Sequence, residues 1–127
     1  MSSKKSAGHE TYRIKRVYEP AGEDDGFRVL VDRLWPRGLT KEKAKVDLWL
    51  KDIAPSNDLR HLLHGDPTQW DAFVCDYADE LAQEPAHSAV ASLRDHARNE
   101  PVTLLYSARN ETHNNAVALK AWLERAK

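Results

Sequence analysis

The sequence predicts one α/β domain in three layers: a small, mostly parallel sheet of about four strands with helices packed on it. Three observations carry that reading. Strand-like runs come early, helical patterns fill the middle, and a strand and a helix close the chain, which is the order of a layered α/β unit. The runs Val29-Leu30-Val31 and Val102-Thr103-Leu104-Leu105-Tyr106 are almost continuously apolar, as strands covered on both faces are. The length, 127 residues, is that of one ordinary domain able to build a core without disulfide or metal staples.

Taken in order, residues 1–10 are small and polar and are expected to form a flexible tail, with the α/β domain over 11–127. No apolar stretch follows Lys4 and Lys5, so no secretory signal is expected. Tyr12 to Tyr18 alternates as a first strand, and Pro20, Gly22 and Glu23-Asp24-Asp25-Gly26 mark a loop. Phe27 to Leu34 is a second strand. The link between these two is too short for a crossover helix, so an antiparallel pair and a one-turn link both stay open. Trp35-Pro36-Arg37-Gly38 closes the second strand, and Thr40 caps a short helical turn through Lys45. Val46, Leu48 and Leu50 alternate with Asp47, Trp49 and Lys51 as a third strand, against the competing extension of the helix before them.

Ser56 is an N-cap for a helix with Leu59, Leu62 and Leu63 on one side and Gly65 as its C′ residue. Asp66, Pro67 and Gln69 then spell a second helix start, cap, N1 proline and capping-box partner. Behind them Trp70, Phe73, Val74, Tyr77 and Leu81 recur at helical spacing. Pro85 interrupts, Val90, Leu93 and Ala97 mark a weaker helix, and Pro101 precedes the last strand, Val102–Tyr106. A final helix turns Ala116, Leu119, Trp122 and Leu123 inward.

Composition narrows the function classes. With 19 Lys+Arg against 20 Asp+Glu the formal charge is −1, which argues against a surface wholly devoted to nucleic acid. The 41% hydrophobic fraction supports a core, and 31% charged residues with a mean hydropathy of −0.70 describe a solvated exterior and no membrane partner. Cys75 is the single cysteine, so no internal disulfide forms and a cytoplasmic address is expected.

If strands two, three and four run parallel, their C-terminal ends share one edge, outside which ligands of open α/β sheets bind. The loops there carry Asp32, Arg33 and Arg37, then Lys51 and Ser56, then Ser107, Arg109 and Asn110. Guanidinium forks beside two helix starts, near Ser56 and Thr112, favour a phosphate or carboxylate. Asp32 and His113 are the candidates for moving a proton. Plainer readings stand beside these: Asp32 and Arg33 as a structural network, Lys51 as a solvated strand end, Ser56 as a cap, His113 as an exposed polar residue. Ser107 lacks the glycines of a G-x-S-x-G elbow. His61 and His64 share a helix side with Asp66 nearby, without the companions of a zinc motif, and no metal is expected. Walker and Gly-x-Gly-x-x-Gly loops are missing, and no cofactor is expected.

The stretch Asp25-Gly26-Phe27-Arg28-Val29-Leu30-Val31-Asp32-Arg33-Leu34-Trp35-Pro36-Arg37-Gly38 resembles the opening motif of the YeaO-like branch of domain-of-unknown-function family 488. Trp49-Leu50-Lys51, Ala54-Pro55-Ser56, Leu59-Arg60, Val102–Ala108 and His113-Asn114 continue the likeness in order. The resemblance implies a small bacterial α/β protein without an established activity. It places characteristic polar positions on Asp32, Arg33, Arg37, Lys51, Ser56 and Asn114. Longer relatives carry a cysteine at the end of the last strand and Cys-His-Arg near the following helix. Here Tyr106 and Asn114-Asn115-Ala116 stand in those places.

The leading expectation is a protein that binds an anionic small molecule or nucleotide at this edge, as a binder or as a hydrolase or transferase. In either case Arg33, Arg37 and Arg109 converge. Two alternatives are kept. One is a nucleic-acid accessory protein using the same arginines, with Trp35 stacking on a base. The other is an interaction module without catalysis.

Overall fold

The structure is a computed structural model that describes residues 10–125; of the tail expected over 1–10, residues 1–9 lie outside the described residues. Four strands, β1 (Tyr12–Arg16), β2 (Phe27–Leu30), β3 (Leu48–Trp49) and β4 (Val102–Tyr106), form one sheet. Their order is β1-β4-β2-β3 and every pairing is parallel. Tyr12 and Phe27 flank Val102 on its two sides, and Val29 pairs with Leu48. The open question of the first strand is thereby answered. A ten-residue link containing one 3-10 turn, Glu23–Asp25, returns the chain to the start of β2.

Among the described residues five α-helices accompany the sheet: α1 (Lys41–Ala44), α2 (Asn57–Gly65), α3 (Trp70–Leu81), α4 (Ala86–Asn99) and α5 (Asn115–Arg125). Strand alternation sorts the core into two layers. Val29, Val31, Val102, Leu104 and Tyr106 face one way and meet Phe73, Tyr77, Leu81, Leu93, Leu119 and Leu123 from the long helices. Leu30 and Leu105 face the other way, onto Ala44 and the half-buried Trp35, Leu39, Val46 and Trp49. The three-layer α/β domain follows, with α2–α5 as the thick layer and α1 with its flanking loops as the thin one.

The thin side also holds a buried ionic knot. Arg28 donates to Asp25 and to the Ala44 and Lys45 carbonyls, and Lys15 donates to Asp25 at 3.0 Å. Beside it Gly26 sits at φ 65°, where an added Cβ would lie 2.2 Å from the Pro101 carbonyl oxygen. Only glycine tolerates both conditions.

Several boundaries differ from expectation. β2 ends at Leu30 rather than Leu34. Val31 still donates to Leu105, but the chain then bends, and Asp32 and Arg33 are loop residues rather than opposite faces of a strand. β3 keeps two residues where Val46–Lys51 was expected: the Leu50 N–H still donates to Leu30, but the chain then turns into a 3-10 helix, Lys51–Ile53. Gly65 is the last residue of α2 rather than a left-handed C′ residue. Asp66 caps a 3-10 turn, Pro67–Gln69, ahead of α3, by accepting from the Thr68 N–H. Helix α5 starts at Asn115, not near Thr112, so His113 precedes the helix instead of lying in its first turn.

Candidate functional site

The C-terminal ends of β2 and β4 lie side by side, since both are parallel and hydrogen-bonded. Beyond them the chain splays, and α2 closes the opening from one side. The result is a cleft with two neighbouring compartments. The first, of about 310 Å³, is lined by Asp32, Arg33, Arg37, Arg60 and Ser107, with Leu34 among its apolar walls. The second, of about 450 Å³, is lined by Asp66, Trp70, Arg109, Asn110 and His113. Leu63, His64 and Ala108 belong to both. Each volume lies in the range of small-molecule pockets, roughly 300–1,000 Å³.

Asp32 is the organiser of the floor. Its Oδ2 accepts from the Ser107 N–H at 2.9 Å and the Ser107 hydroxyl at 2.8 Å, and its Oδ1 accepts from Asn115 Nδ2 at 2.9 Å. Asn115 Nδ2 also donates to the Val31 carbonyl at 3.1 Å, and Trp49 Nε1 donates to the Asp32 carbonyl at 2.8 Å. One carboxylate thus ties the exit of β2, the exit of β4 and the first turn of α5 together. This is the structural network that was open as a reading for Asp32, and it leaves both of its oxygens engaged. Beneath it, burial pushes the Tyr77 phenol well above its ordinary pKa, and Tyr77 donates to the Ile53 carbonyl.

The cations are placed differently. Arg33 Nη2 donates to the Ala54 carbonyl at 3.1 Å, while its Nε is buried with no hydrogen-bond partner among the described residues. Arg37 is exposed, and its carbonyl accepts from Tyr18. Arg60, on α2, donates to Asn57 at 2.8 Å. Among the described residues no ion pair involves Arg33, Arg37, Arg60 or Arg109. Among the described residues Asp32 is the one carboxylate that lines the first compartment with these guanidinium groups.

In the second compartment the Thr68 N–H and hydroxyl hold the Asp66 carboxyl below the usual carboxylate range. Trp70 meets the His113 ring edge-on at 4.6 Å, and His113 Nδ1 lies 2.9 Å from the Thr112 hydroxyl. His113 and Asp32 sit in different compartments and do not form a pair.

The predicted residues thus divide. Asp32, Arg33, Arg37 and Ser107 share the first compartment, and Arg109 and His113 share the second. Lys51, Ser56 and Asn114 line neither. Lys51 is exposed and lies 4.3 Å above the Trp49 ring. The Ser56 hydroxyl caps α2 by accepting from Leu59, and the Ser56 N–H donates to Glu80. Asn114 is fully buried, donating to the Asn110 carbonyl and accepting from the Val117 N–H, the N-terminal cap of α5. Trp35 lines the first compartment but is anchored, its Nε1 donating to Leu39 and its ring set edge-on against Trp49. Sequence reasoning missed Arg60, Asn115 and Trp70 as cleft residues. Arg60, Leu63 and His64 stand at i, i+3 and i+4, one face of α2, and that spacing was the available signal.

A family model described as the inactive DUF488-N3 subclade matches residues 11–127. The chain is similar to the uncharacterized protein YeaO of Escherichia coli (strain K12), 48% identical over 111 residues that make up 87% of this chain and 95% of the relative. It is also similar to the uncharacterized proteins Mb3100c of Mycobacterium bovis and Rv3073c of Mycobacterium tuberculosis. Each is 40% identical over 107 residues, 84% of this chain and 88% of the relative. No solved structure gives a significant match. Among the described residues no helix is long and apolar enough to cross a membrane.

Proposed function

Because the chain belongs to the inactive DUF488-N3 subclade, we propose that it is a binding protein rather than a catalyst, one that takes a phosphate- or carboxylate-bearing small molecule in the first compartment. One observation carries the reading: Arg33, Arg37 and Arg60 line that compartment without an ion-pair partner among the described residues. Guanidinium groups recognise oxyanions through two parallel N–H donors. Three guanidinium groups outnumber the one carboxylate lining the compartment, and an excess of one sign of charge concentrates the opposite sign. The unpartnered Arg33 Nε–H is a further donor that a nearby anion would compensate electrostatically.

Catalysis is not supported by the same residues. Asp32 accepts three hydrogen bonds from the scaffold and holds the loops, and the other proton-moving candidate, His113, lies in the other compartment. An oversized exposed apolar patch and a cleft closed by internal salt bridges would favour an interaction module, and among the described residues no salt bridge crosses the cleft.

Thermal denaturation in increasing phosphate or sulfate, at constant ionic strength, tests the proposal. At a hundred times the dissociation constant, binding stabilises by about 2.7 kcal/mol, a rise of several degrees for a chain of this size. Arg37→Ala, at an exposed position, should melt like wild type without anion and lose most of the rise. A wild-type melting point indifferent to every oxyanion overturns the reading.

A further inference from the structure

The two compartments differ in chemistry, and the difference specifies an occupant. The first offers Arg33, Arg37 and Arg60 against a carboxylate already engaged by Ser107 and Asn115. The second offers the half-buried Trp70 and the exposed His113, whose rings meet at 74°, together with polar groups of both signs. There Asp66 Oδ1 accepts from Thr68 at 2.9 and 2.8 Å, and its other oxygen has no partner among the described residues. Asn110 Oδ1 is similarly engaged, by Thr112 and His113, while its amide nitrogen has no partner among the described residues. An ionised Asp66 makes this half the poorer place for an anion. Its free oxygen suits a hydroxyl or amino donor, and the aromatic corner suits the edge or face of a planar ring. Leu63, His64 and Ala108 line both halves, so the two lie side by side.

We propose that the cleft takes a nucleoside monophosphate, with the phosphate among the arginines and the sugar and base in the compartment of Trp70, Asp66 and His113. The assignment rests on the anion-binding reading above and adds the organic half of the ligand. Base stacking on an aromatic side chain adds sequence-tolerant affinity, and hydrogen bonds to the ring edge and sugar add selectivity.

Calorimetric titration of the full chain with inorganic phosphate, with adenosine and with the adenine, guanine, cytosine and uracil 5′-monophosphates tests it. At least one monophosphate should bind about tenfold or more tightly than inorganic phosphate. Trp70→Leu should remove most of that gain and leave phosphate affinity unchanged. Because Trp70 also packs on Phe73, His113→Ala, at an exposed position, serves as the second variant, with an expected loss of about threefold or more. Inorganic phosphate binding as tightly as every monophosphate overturns the nucleotide assignment while sparing the anion-binding reading, and so does a gain that survives both variants. Silence toward phosphate and monophosphates alike overturns both.

Discussion

Replacing Asp32 with alanine probes the joint on which the cleft is built. The substitution removes the acceptor of the Ser107 N–H, the Ser107 hydroxyl and Asn115 Nδ2, bonds of 2.8–2.9 Å. Hydrogen bonds to a charged group contribute roughly 1.5–3 kcal/mol each. They do not add fully here, because Asp32 is half-buried and water replaces part of what is lost. Asn115 also keeps its bond to the Val31 carbonyl. A net destabilisation of about 2–4 kcal/mol follows, which for a domain of this size lowers the melting temperature by roughly 8–15 °C. Urea denaturation measures it directly, with an unchanged m-value expected. Amide exchange should show the loss concentrated at Ser107 and the first turn of α5. An Asp32→Ala protein within about 0.5 kcal/mol of wild type would refute the claim that this carboxylate ties β2, β4 and α5 together.

Two further outcomes concern the scaffold. Burial acts to raise the Asp25 pKa, but the hydrogen bonds from the Gly22 N–H, Lys15 and Arg28 outweigh it and leave the carboxyl below its ordinary value. A depressed folded-state pKa contributes stability that is complete above the unfolded value of about 3.9 and is lost as pH falls through the folded one. Asp25→Ala should therefore cost about 3–5 kcal/mol at neutral pH, by stranding Arg28. The gap to wild type should shrink in denaturation curves taken below about pH 4; a gap constant down to pH 2 contradicts the ionic account. Gly26→Ala should destabilise by more than about 2 kcal/mol, since it adds a clash with Pro101 to a left-handed backbone. Equal urea midpoints for that variant and wild type would show the loop to be more pliant than drawn.

How much of this was legible in the sequence depends on which residues hold their own local information. Val102–Tyr106 reads as an interior strand because five successive apolar or small polar residues fit no amphipathic element, and all five are buried. The stripe from Trp70 to Leu81 reads as a helix because its period is intrinsic, and Phe73, Tyr77 and Leu81 are buried as it requires. Ser56 declared its own cap. The bend after Leu30 was not legible. It is set by the hold of Asn115 and Ser107 on Asp32, 83 and 75 residues away from it, and local alternation in Val31-Asp32-Arg33 continues as though the strand did. β3 shortens for the same kind of reason, since its partner strand ends first.

At the site, convergence of Arg33 and Arg37 followed from their common loop once parallel strands put it at the sheet edge. Arg109 came to the adjoining compartment from the end of β4. Arg60 was passed over because α2 displays its leucines as the obvious signal, and a cation three residues before Leu63 reads as solvated. Asn114 shows the opposite error. A polar residue at a characteristic position attracts a functional reading, yet its amide caps a helix from full burial. Lys51 was set aside by geometry, as the turn after β3 lays it over Trp49 instead of the cleft.

The most direct measurement is a high-resolution crystal structure grown in phosphate or sulfate. The account predicts an ordered oxyanion in the first compartment, within hydrogen-bond distance of at least two of Arg33, Arg37 and Arg60. It is contradicted by a well-ordered crystal in which these three guanidinium groups hold no anion, or turn away from one another to pair with carboxylates elsewhere on the chain.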